Sequence, residues 1–192
     1  MPIMDELTDV LNLEQIEVNL FRGRSPAEER QRIFGGQVVA QALMAAYRTV
    51  EGSVCHSLQS YFIRPGDPSI PVLYQVERSR DGKTFMTRRV IAIQKGEQIF
   101  NMACSFQTPE DGYDHQTALP EGIAHPETLP DDVDRVLEEL KDVPESQKRW
   151  ARKRPIEMRA VDANSLLKPT VKEPLQYVWL RARGDVGDDI AL

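Results

Sequence analysis

The stretch from Phe34 to Tyr47 reads FGGQVVAQALMAAY, and it decides how the chain around it folds. It is too long for a strand, it has no helix breaker after Gly36, and its alanines favour a helix. Gln37 and Gln41 share one face, and nearly all of the remaining circumference is apolar. A helix that is apolar on most sides is one that other structure surrounds. We therefore predict a helix from Gly36 to Tyr47 that is enclosed by a sheet.

Strand patterns lie on both sides of this helix. Before it, Glu14–Phe21 alternates apolar and polar residues with the period of two that is typical of a half-buried strand. The runs after the helix have the same character and are separated by turn residues: His56–Ile63, Pro71–Arg78, Thr84–Gln94 and Gln98–Gln107. Within Ser79–Lys83, an Asp-Gly pair is expected to supply the positive φ of a hairpin turn. This order predicts an α+β hotdog fold, in which a curled antiparallel sheet wraps one long helix.

The chain changes character after Gln107. Prolines and charges mark residues 108–155 as a connecting segment, with one amphipathic helix from Asp131 to Lys141. Strand patterns return at Pro155–Asp162 and Leu175–Arg183. The sequence therefore predicts the beginning of a second structural unit after the connection.

This second stretch holds little more than two strands. Asp188 or Asp189 is placed to cap a new helix, and the sequence stops soon afterwards. Fewer than roughly 40 residues rarely bury enough surface to fold alone, and two strands leave an open sheet edge. We expect a first hotdog unit over residues 10–107, a linker over 108–155, and the truncated beginning of a second hotdog unit over 156–192.

Composition narrows the class of protein. A net charge of −6 opposes binding to nucleic acid, because the phosphate backbone favours a cationic surface. No apolar run is long enough to span a membrane, and the acids within Met1–Val10 argue against an export signal. Cys55 and Cys104 lack the spacing of a metal site, so we expect buried or half-buried thiols. These features predict a cytoplasmic protein.

Several long motifs resemble one known family. The motifs in Leu13–Gly23 (LEQIEVNLFRG), Phe34–Leu43 (FGGQVVAQAL) and His56–Gly66 (HSLQSYFIRPG) resemble the first unit of acyl-CoA thioesterase II. Shorter matches in the same unit are Arg80–Gly82, Phe85, Arg88–Val90 and Phe106-Gln107. Three further matches resemble the start of the second unit of that family: Arg154–Arg159 (RPIEMR), Val178–Ala182 (VWLRA) and Asp188-Asp189.

The resemblance implies two fused hotdog units that share one sheet and hydrolyse fatty acyl-CoA to free fatty acid and CoA. In this family an Asp, a Ser or Thr, and a Gln of the second unit activate the attacking water. No position in this sequence matches those residues, so we expect them beyond Leu192 and expect the chain to be a fragment or one piece of a larger assembly. The resemblance also implies acyl-CoA as the ligand, no cofactor and no metal. A homo-oligomer, or completion by a C-terminal hotdog segment, is the expected assembly.

Three candidate substrate-binding residues lie on the predicted helix and the strand after it. Gly36 precedes the helix, whose N-terminal amides are suited to a thioester carbonyl or a phosphate; tight packing at a strand–helix corner is the alternative explanation. Gln37 lies in the first turn and is suited to a hydrogen bond with substrate; a polar group satisfied at the helix start is the alternative. His56 lies in what reads as a core strand, where an imidazole lines a site, acts as a general base, or forms a structural hydrogen bond.

Three further candidates lie around the predicted hairpin turn. Asp81 and Gly82 are placed where the CoA nucleotide would lie, and Arg88 is a candidate phosphate partner. Ordinary hairpin chemistry is the alternative explanation of the Asp-Gly pair. Glu157 and Asp162 form no recognisable catalytic pair and are interpreted as surface groups.

Other kinds of chemistry have less support. Ser57 and Ser60 lack the nucleophile elbow of a serine hydrolase, and Cys55 and His56 point to opposite faces of a strand, which prevents them from acting together. Two other functions stay open. A hotdog hydratase or dehydratase would need a His–carboxylate pair near the helix, and a non-catalytic acyl-CoA-binding or assembly fragment would need no catalytic residues.

Overall fold

A computed structural model describes residues 3–26, 31–148 and 151–187. It divides into two compact units, which we call the N-terminal unit (Asp5–Gly112) and the C-terminal unit (Tyr113–Val186). In the part of the chain that the structure describes, no helix combines the length and apolar character needed to cross a membrane. The helix predicted after Asp188 or Asp189 lies outside the described residues.

The elements up to Gln107 form one sheet around one long helix. The sheet has the strand order β1-β2-β4-β5-β6-β3, and its neighbouring strands are antiparallel. In chain order the elements are α1 (Ile3–Leu11), β1 (Glu14–Glu17), β2 (Leu20–Gly23), α2 (Gly35–Tyr47), β3 (Val54–Phe62), β4 (Val72–Asp81), β5 (Phe85–Gln94) and β6 (Glu97–Gln107).

The predicted enclosed helix is confirmed as α2. Strands β2, β4, β5 and β6 contact it, and three of its alanines are completely buried: Ala42, Ala45 and Ala46. Small side chains on this face allow the curled sheet to approach the helix backbone closely. The predicted α+β fold with a curled antiparallel sheet around one helix is therefore confirmed. The inward side chains of the sheet complete the core: Phe21, Val72, Tyr74, Val76, Val90, Ala92, Phe100, Met102, Cys104 and Phe106.

A glutamine lies in the middle of this apolar core. The Gln41 carboxamide is fully buried; its Nε2 donates to the carbonyl oxygens of Val10 (2.6 Å) and Arg24 (3.0 Å). Its Oε1 accepts a hydrogen bond of 2.8 Å from the Tyr74 hydroxyl. Because a buried amide is costly unless its groups are paired, Gln41 fixes α2 against α1, the segment after β2, and β4 at once.

The prediction of one continuous strand over Glu14–Phe21 is wrong. Val18 and Asn19 form a tight turn, and β1 folds back on β2 as a hairpin. Asn19 has φ +62°, a left-handed conformation that asparagine tolerates better than most residues. The alternating pattern of the flanking residues concealed this turn.

The predicted turn over Ser79–Lys83 is shorter in the structure, because β4 continues to Asp81 across a bulge between Arg78 and Arg80. The expected positive φ at Gly82 is also wrong, since Gly82 is not among the residues with positive φ. Glycine is needed there for space: a Cβ on Gly82 would lie 2.6 Å from the carbonyl oxygen of Phe85.

Among the residues that the structure describes, strand β3 forms one edge of the sheet and pairs only with β6. Most of its residues are exposed, including the large apolar side chains of Leu58, Tyr61 and Phe62. The expectation that His56 belongs to a core strand is therefore wrong. The apolar character that suggested a core position instead marks a sheet edge.

The C-terminal unit contains short elements and a two-stranded sheet. Asp131 caps α3 by accepting a 2.9 Å hydrogen bond from the Val133 amide, as expected for the amphipathic helix predicted in this region. The elements are a 3₁₀ turn (Pro126–Thr128), α3 (Asp132–Glu139), α4 (Glu145–Lys148), β7 (Ile156–Ala160) and β8 (Val178–Ala182), with β7 and β8 antiparallel.

Charged side chains hold one face of this small sheet. Glu157 is buried, and its carboxylate pairs with Arg159, with Arg181 at 3.1 Å, and with Arg183 at 3.8 Å. The interpretation of Glu157 as a surface group is wrong, because the three arginines compensate its burial. Asp162, by contrast, is mostly exposed and pairs with a lysine at 2.6 Å.

We predict that the Gln41 contacts contribute measurably to folding. Tyr74→Phe removes one donor and is expected to lower the free energy of unfolding by about 1–2 kcal/mol, while Gln41→Leu removes three hydrogen bonds, one of them to the buried Tyr74 hydroxyl, and is expected to cost about 2–4 kcal/mol. Urea unfolding monitored by circular dichroism measures both. Gln75→Leu, on the exposed face of β4, is the control and is expected to stay within about 0.5 kcal/mol of the parent chain.

We also predict acid sensitivity in the C-terminal unit. Hydrogen bonding from Arg159, followed by that from Arg181, lowers the pKa of Glu157, although burial opposes this shift. A carboxylate whose pKa is lower in the folded state stabilises the fold above its unfolded pKa, and this stabilisation is lost as the pH falls through the folded value. The protection factors of the β7 and β8 amides against hydrogen exchange, corrected for the pH dependence of intrinsic exchange, are therefore expected to fall below about pH 4.

Glu157→Gln is expected to expose these amides at neutral pH and to flatten their acid dependence. Asp162→Asn is the matched control, because its carboxylate is mostly exposed. An equally steep acid dependence in the Glu157→Gln chain would contradict the assignment to Glu157.

Candidate functional site

A pocket opens at the N-terminal end of α2. Its volume is about 420 Å³, and Phe62, Ile63, Ile99 and Phe100 contribute much of its lining. Pockets of this size are at the lower end of the range that holds small organic ligands. Because its walls are largely apolar, the pocket is suited to a ligand with an apolar part.

Gly36 and Gln37 lie in the first turn of α2, beside this pocket. Phe34 provides no side-chain cap for the helix, and the Gln37 amide donates to the Phe34 carbonyl oxygen at 3.1 Å. The Gln37 side chain donates to the Ser25 hydroxyl at 3.1 Å and, more weakly, to the Arg24 carbonyl oxygen at 3.3 Å. Gln37 thus ties the segment after β2 to the helix, and a role in substrate binding stays a prediction.

Arg88 lies at the opposite end of α2 and is 1% exposed. Its Nε donates to the Thr49 hydroxyl at 2.7 Å and one Nη donates to the Thr49 carbonyl oxygen at 2.9 Å. The remaining donors reach the carbonyl oxygens of Arg80 (2.9 Å) and Thr87 (3.0 Å) and the carboxylate of Asp81. A guanidinium has five N–H donors, so these contacts occupy all of them.

This geometry favours a structural role for Arg88. Its cation lies just past the C-terminus of α2, where the helix dipole favours positive charge, and it joins the helix end to the β4–β5 hairpin. A phosphate partner would have to break some of these buried bonds. The predicted substrate contacts of Arg88, Asp81 and Gly82 stay predictions.

His56 lies on the exposed side of β3, at a bulge between Cys55 and Ser57. Its Nε2 is 2.9 Å from the Ser105 hydroxyl, and its ring meets the edge of the Phe85 ring at 5.8 Å between centroids. The hydratase hypothesis requires a carboxylate partner, whereas the structure pairs this imidazole with a serine. The role of His56 in lining a substrate site stays a prediction.

The six candidate residues fall into two groups rather than one site. Gly36 and Gln37 lie at one end of α2, and the others lie toward the hairpin end. The helix rises about 1.5 Å per residue, so Gln37 and Thr49 are about 18 Å apart. Thr49 and Phe62 were not predicted from the sequence. In β5 the alternation did not reveal an inward Arg88, because Phe85, Ile91 and Ile93 lie on the face opposite to Arg88.

Both cysteines are free thiols, as expected, with Cys104 buried and Cys55 half-buried. Burial raises the pKa of Cys104 to about 12 and also raises the pKa of Cys55. Because the thiolate is the nucleophilic form, neither residue is prepared for nucleophilic catalysis. Within residues 3–26, 31–148 and 151–187, no group of three or more His, Cys, Asp or Glu side chains is arranged to hold a metal ion.

Comparison with solved structures first defines the fold class. A protein from Alicyclobacillus acidocaldarius, described as having a hot dog fold, superimposes with a TM-score of 0.69 at 19% identity, covering 91% of this chain and 61% of that one. TesB2, an acyl-CoA thioesterase II from Mycobacterium marinum, gives a TM-score of 0.71 at 40% identity, covering 96% of this chain and 64% of that one. The fold is therefore that of the hotdog proteins.

Sequence comparison then defines the family. The model of the acyl-CoA thioesterase N-terminal domain matches residues 24–107. Acyl-CoA thioesterase 2 of Haemophilus influenzae is 36% identical, with 99% of this chain and 67% of that protein covered. Human acyl-coenzyme A thioesterase 8 is 43% identical, with 95% of this chain and 60% of that protein covered. The chain belongs to the acyl-CoA thioesterase II family and spans about 60% of the length of its human relative.

We predict that Arg88 supports folding. Arg88→Met leaves several buried acceptors unpaired and is expected to lower the free energy of unfolding by about 3–5 kcal/mol. Arg88→Lys keeps the charge but has only three donors, so an intermediate loss is expected. Urea unfolding measures both, and Arg89→Met, at a half-exposed neighbouring position, is the matched control.

A different outcome would assign Arg88 to ligand binding. If Arg88→Met were as stable as Arg89→Met while losing affinity for CoA, the guanidinium would be a ligand group and the structural account would be wrong.

Proposed function

We propose that this chain carries the first hotdog unit, a linker and the beginning of a second hotdog unit of an acyl-CoA thioesterase. The whole protein would hydrolyse fatty acyl-CoA to free fatty acid and CoA. The observation that carries the proposal is the enclosure of α2 by the curled sheet within the residues that match the thioesterase N-terminal domain. The names of the relatives, thioesterases of bacteria and mammals, support it.

The proposed reaction is attack by water on the thioester carbonyl carbon. The C–S bond breaks, the carbonyl carbon gains the water oxygen, and a proton passes to the CoA thiolate. Since no position in residues 1–192 matches the Asp, Ser or Thr, and Gln that the family resemblance implies, the proposal assigns water activation to residues outside this stretch. No metal or cofactor takes part.

The candidate substrate contacts remain part of this proposal. At the first turn of α2, Gly36 lies beside an apolar pocket, where a helix N-terminus is suited to a thioester carbonyl. Gln37 has weaker support, because its amide and its side chain already donate within the protein. The hairpin group of Asp81, Gly82 and Arg88 has weaker support, because the Arg88 donors are engaged within the protein. His56 faces solvent from the edge strand, where substrate has access to it.

Assembly with further hotdog structure is also proposed, either in a homo-oligomer or through a C-terminal hotdog segment. Strand β3 supports this, because an edge strand with exposed Leu58, Tyr61 and Phe62 is prone to pairing. In the C-terminal unit, the exposed Ile156 and Met158 of β7 give similar support. We also propose a cytoplasmic location, which cell fractionation tests.

A non-catalytic acyl-CoA-binding or assembly role is the second candidate for the 192-residue chain. It differs from the first proposal in one measurable respect, because it predicts that a longer chain also binds its ligand without any release of thiol.

Thiol release from acyl-CoAs of several chain lengths tests the proposal. The 192-residue chain and a longer chain, extended over the length of the human relative, are assayed side by side with calorimetric binding. We expect both to bind acyl-CoA and only the longer chain to release CoA. Robust turnover by residues 1–192 would refute the assignment of water activation. Binding without release by the longer chain as well would favour the non-catalytic role.

A further inference from the structure

We propose that residues 109–119 form a proteolytic processing site, which an endopeptidase with an apolar S1 pocket cuts after Tyr113. We call this stretch the 109–119 segment. It contains the boundary in sequence between the N-terminal unit and the C-terminal unit. The match to the thioesterase N-terminal domain ends at residue 107, so the cut leaves that whole domain in one piece.

The 109–119 segment is open to solvent along its whole length. Its eleven residues are all exposed, and they form neither helix nor strand. Tyr113 is 109% exposed, so its side chain touches almost nothing else in the protein. A Cβ on Gly112 would have no heavy atom within 4 Å. The surroundings therefore leave room for a protease to close on this part of the chain.

No backbone hydrogen bond holds the segment within the part of the chain that the structure describes. The last such bond before it runs from the Thr108 amide to the Thr84 carbonyl oxygen at 2.9 Å, and the next one along the chain joins Thr128 to His125. Proteases take up chain in an extended, unpaired form. A segment without backbone bonds reaches that form without the free energy of local unfolding.

Exposure alone does not distinguish this segment, because residues 166–176 are also all exposed. That second loop, however, is held by hydrogen bonds. The Asn164 carboxamide donates to the Thr170 carbonyl oxygen at 2.6 Å and accepts from the Thr170 amide at 2.9 Å. The Glu139 carboxylate accepts from the Leu167 amide at 3.1 Å. A protease has to break these contacts first, so we expect faster cleavage in the segment that lacks them.

The sequence of the segment decides which proteases fit it. No Lys or Arg lies between Lys95 and Arg135, so a trypsin-like protease, which needs a cation in its S1 pocket, finds no site here. Tyr113 offers the aromatic side chain that an apolar S1 pocket accepts. Leu119 is followed by Pro120, an arrangement that such proteases cleave poorly. Tyr113 is therefore the expected position of the cut.

The chemical step is hydrolysis of one peptide bond. The oxygen of water adds to the Tyr113 carbonyl carbon, the bond from this carbon to the Asp114 nitrogen breaks, and that nitrogen takes up a proton. The products are a carboxylate at Tyr113 and an amino terminus at Asp114. The endopeptidase supplies the catalytic groups, and this chain supplies the bond that is cut.

The piece before the cut keeps the interactions that stabilise the N-terminal unit. Helix α2, the six-stranded sheet and the buried core all lie before residue 108. The hydrogen bonds of Gln41 and Arg88 likewise join only residues before 108. Because neither network crosses the cut, we expect the N-terminal piece to stay folded.

Limited proteolysis of the 192-residue chain, with the products identified by mass spectrometry, tests the position of the site. Subtilisin, which has broad sequence specificity, is expected to make its first internal cut within residues 109–119. Chymotrypsin is expected to cut first after Tyr113, and trypsin is expected to leave the segment intact. A first internal subtilisin cut elsewhere, residues 166–176 included, would overturn the proposal.

The role of Tyr113 has its own variant. Tyr113→Ser is expected to lose the chymotryptic cut in the segment without a change in the free energy of unfolding, because the side chain is fully exposed. Tyr61→Ser is the matched control: Tyr61 is 57% exposed, but its backbone pairs with Asn101 in the sheet. This control is expected to keep the cut after Tyr113. Loss of that cut in both variants would contradict the assignment.

The state of the N-terminal piece is measured after the chymotryptic cut. Hydrogen exchange of the β4, β5 and β6 amides is expected to match that of the uncut chain, and the piece is expected to resist further digestion. Loss of this protection, or digestion of the piece as soon as it forms, would show degradation rather than processing and would overturn the proposal. None of these measurements depends on hydrolysis of acyl-CoA.

Discussion

Gln41 lies in the middle of an apolar helix, completely removed from water, and each of its hydrogen-bonding atoms finds a partner on a different segment. An unpaired buried amide would cost more free energy than a protein of this size can easily lose. The helix can therefore be buried only when α1, the segment after β2, and Tyr74 of β4 are in place together. The apolar surface drives enclosure of α2, and this glutamine determines one arrangement of the enclosing elements.

The two ends of α2 differ in the groups that surround them. At the C-terminal end, the sheet places buried Arg88 beside the helix. All five N–H donors of Arg88 are hydrogen-bonded to other groups of the protein. At the N-terminal end, Phe34 offers no side-chain cap, and an apolar pocket lies beside the first turn. A hydrogen-bonded, charge-compensated end is suited to stability, whereas an open end beside apolar walls is suited to a ligand. This difference favours the N-terminal end of α2 over Arg88 for the proposed substrate contacts.

The C-terminal unit relies more on charge than on a core. Its sheet has two strands, and the face that carries Glu157 and Arg159 is held by ion pairs and by bonds from Arg159 to the carbonyl oxygens of Pro126 and Leu129, both at 2.8 Å. The exposed Ile156 and Met158 show that the other face is only partly covered within this unit. These features are consistent with the proposed beginning of a second hotdog unit, which needs further structure to cover its apolar face.

The sequence by itself determined the enclosed helix, the period-two strands and the family, because helix propensity, side-chain alternation and motif order are local properties of the chain. It did not determine the hairpin at Asn19, the edge position of β3, or the burial of Gln41, Arg88 and Glu157. Gln41 meets Val10, and Arg88 meets Thr49, across 31 and 39 residues of sequence. Whether such a side chain is exposed or buried depends on partners that only the tertiary structure brings within hydrogen-bonding distance.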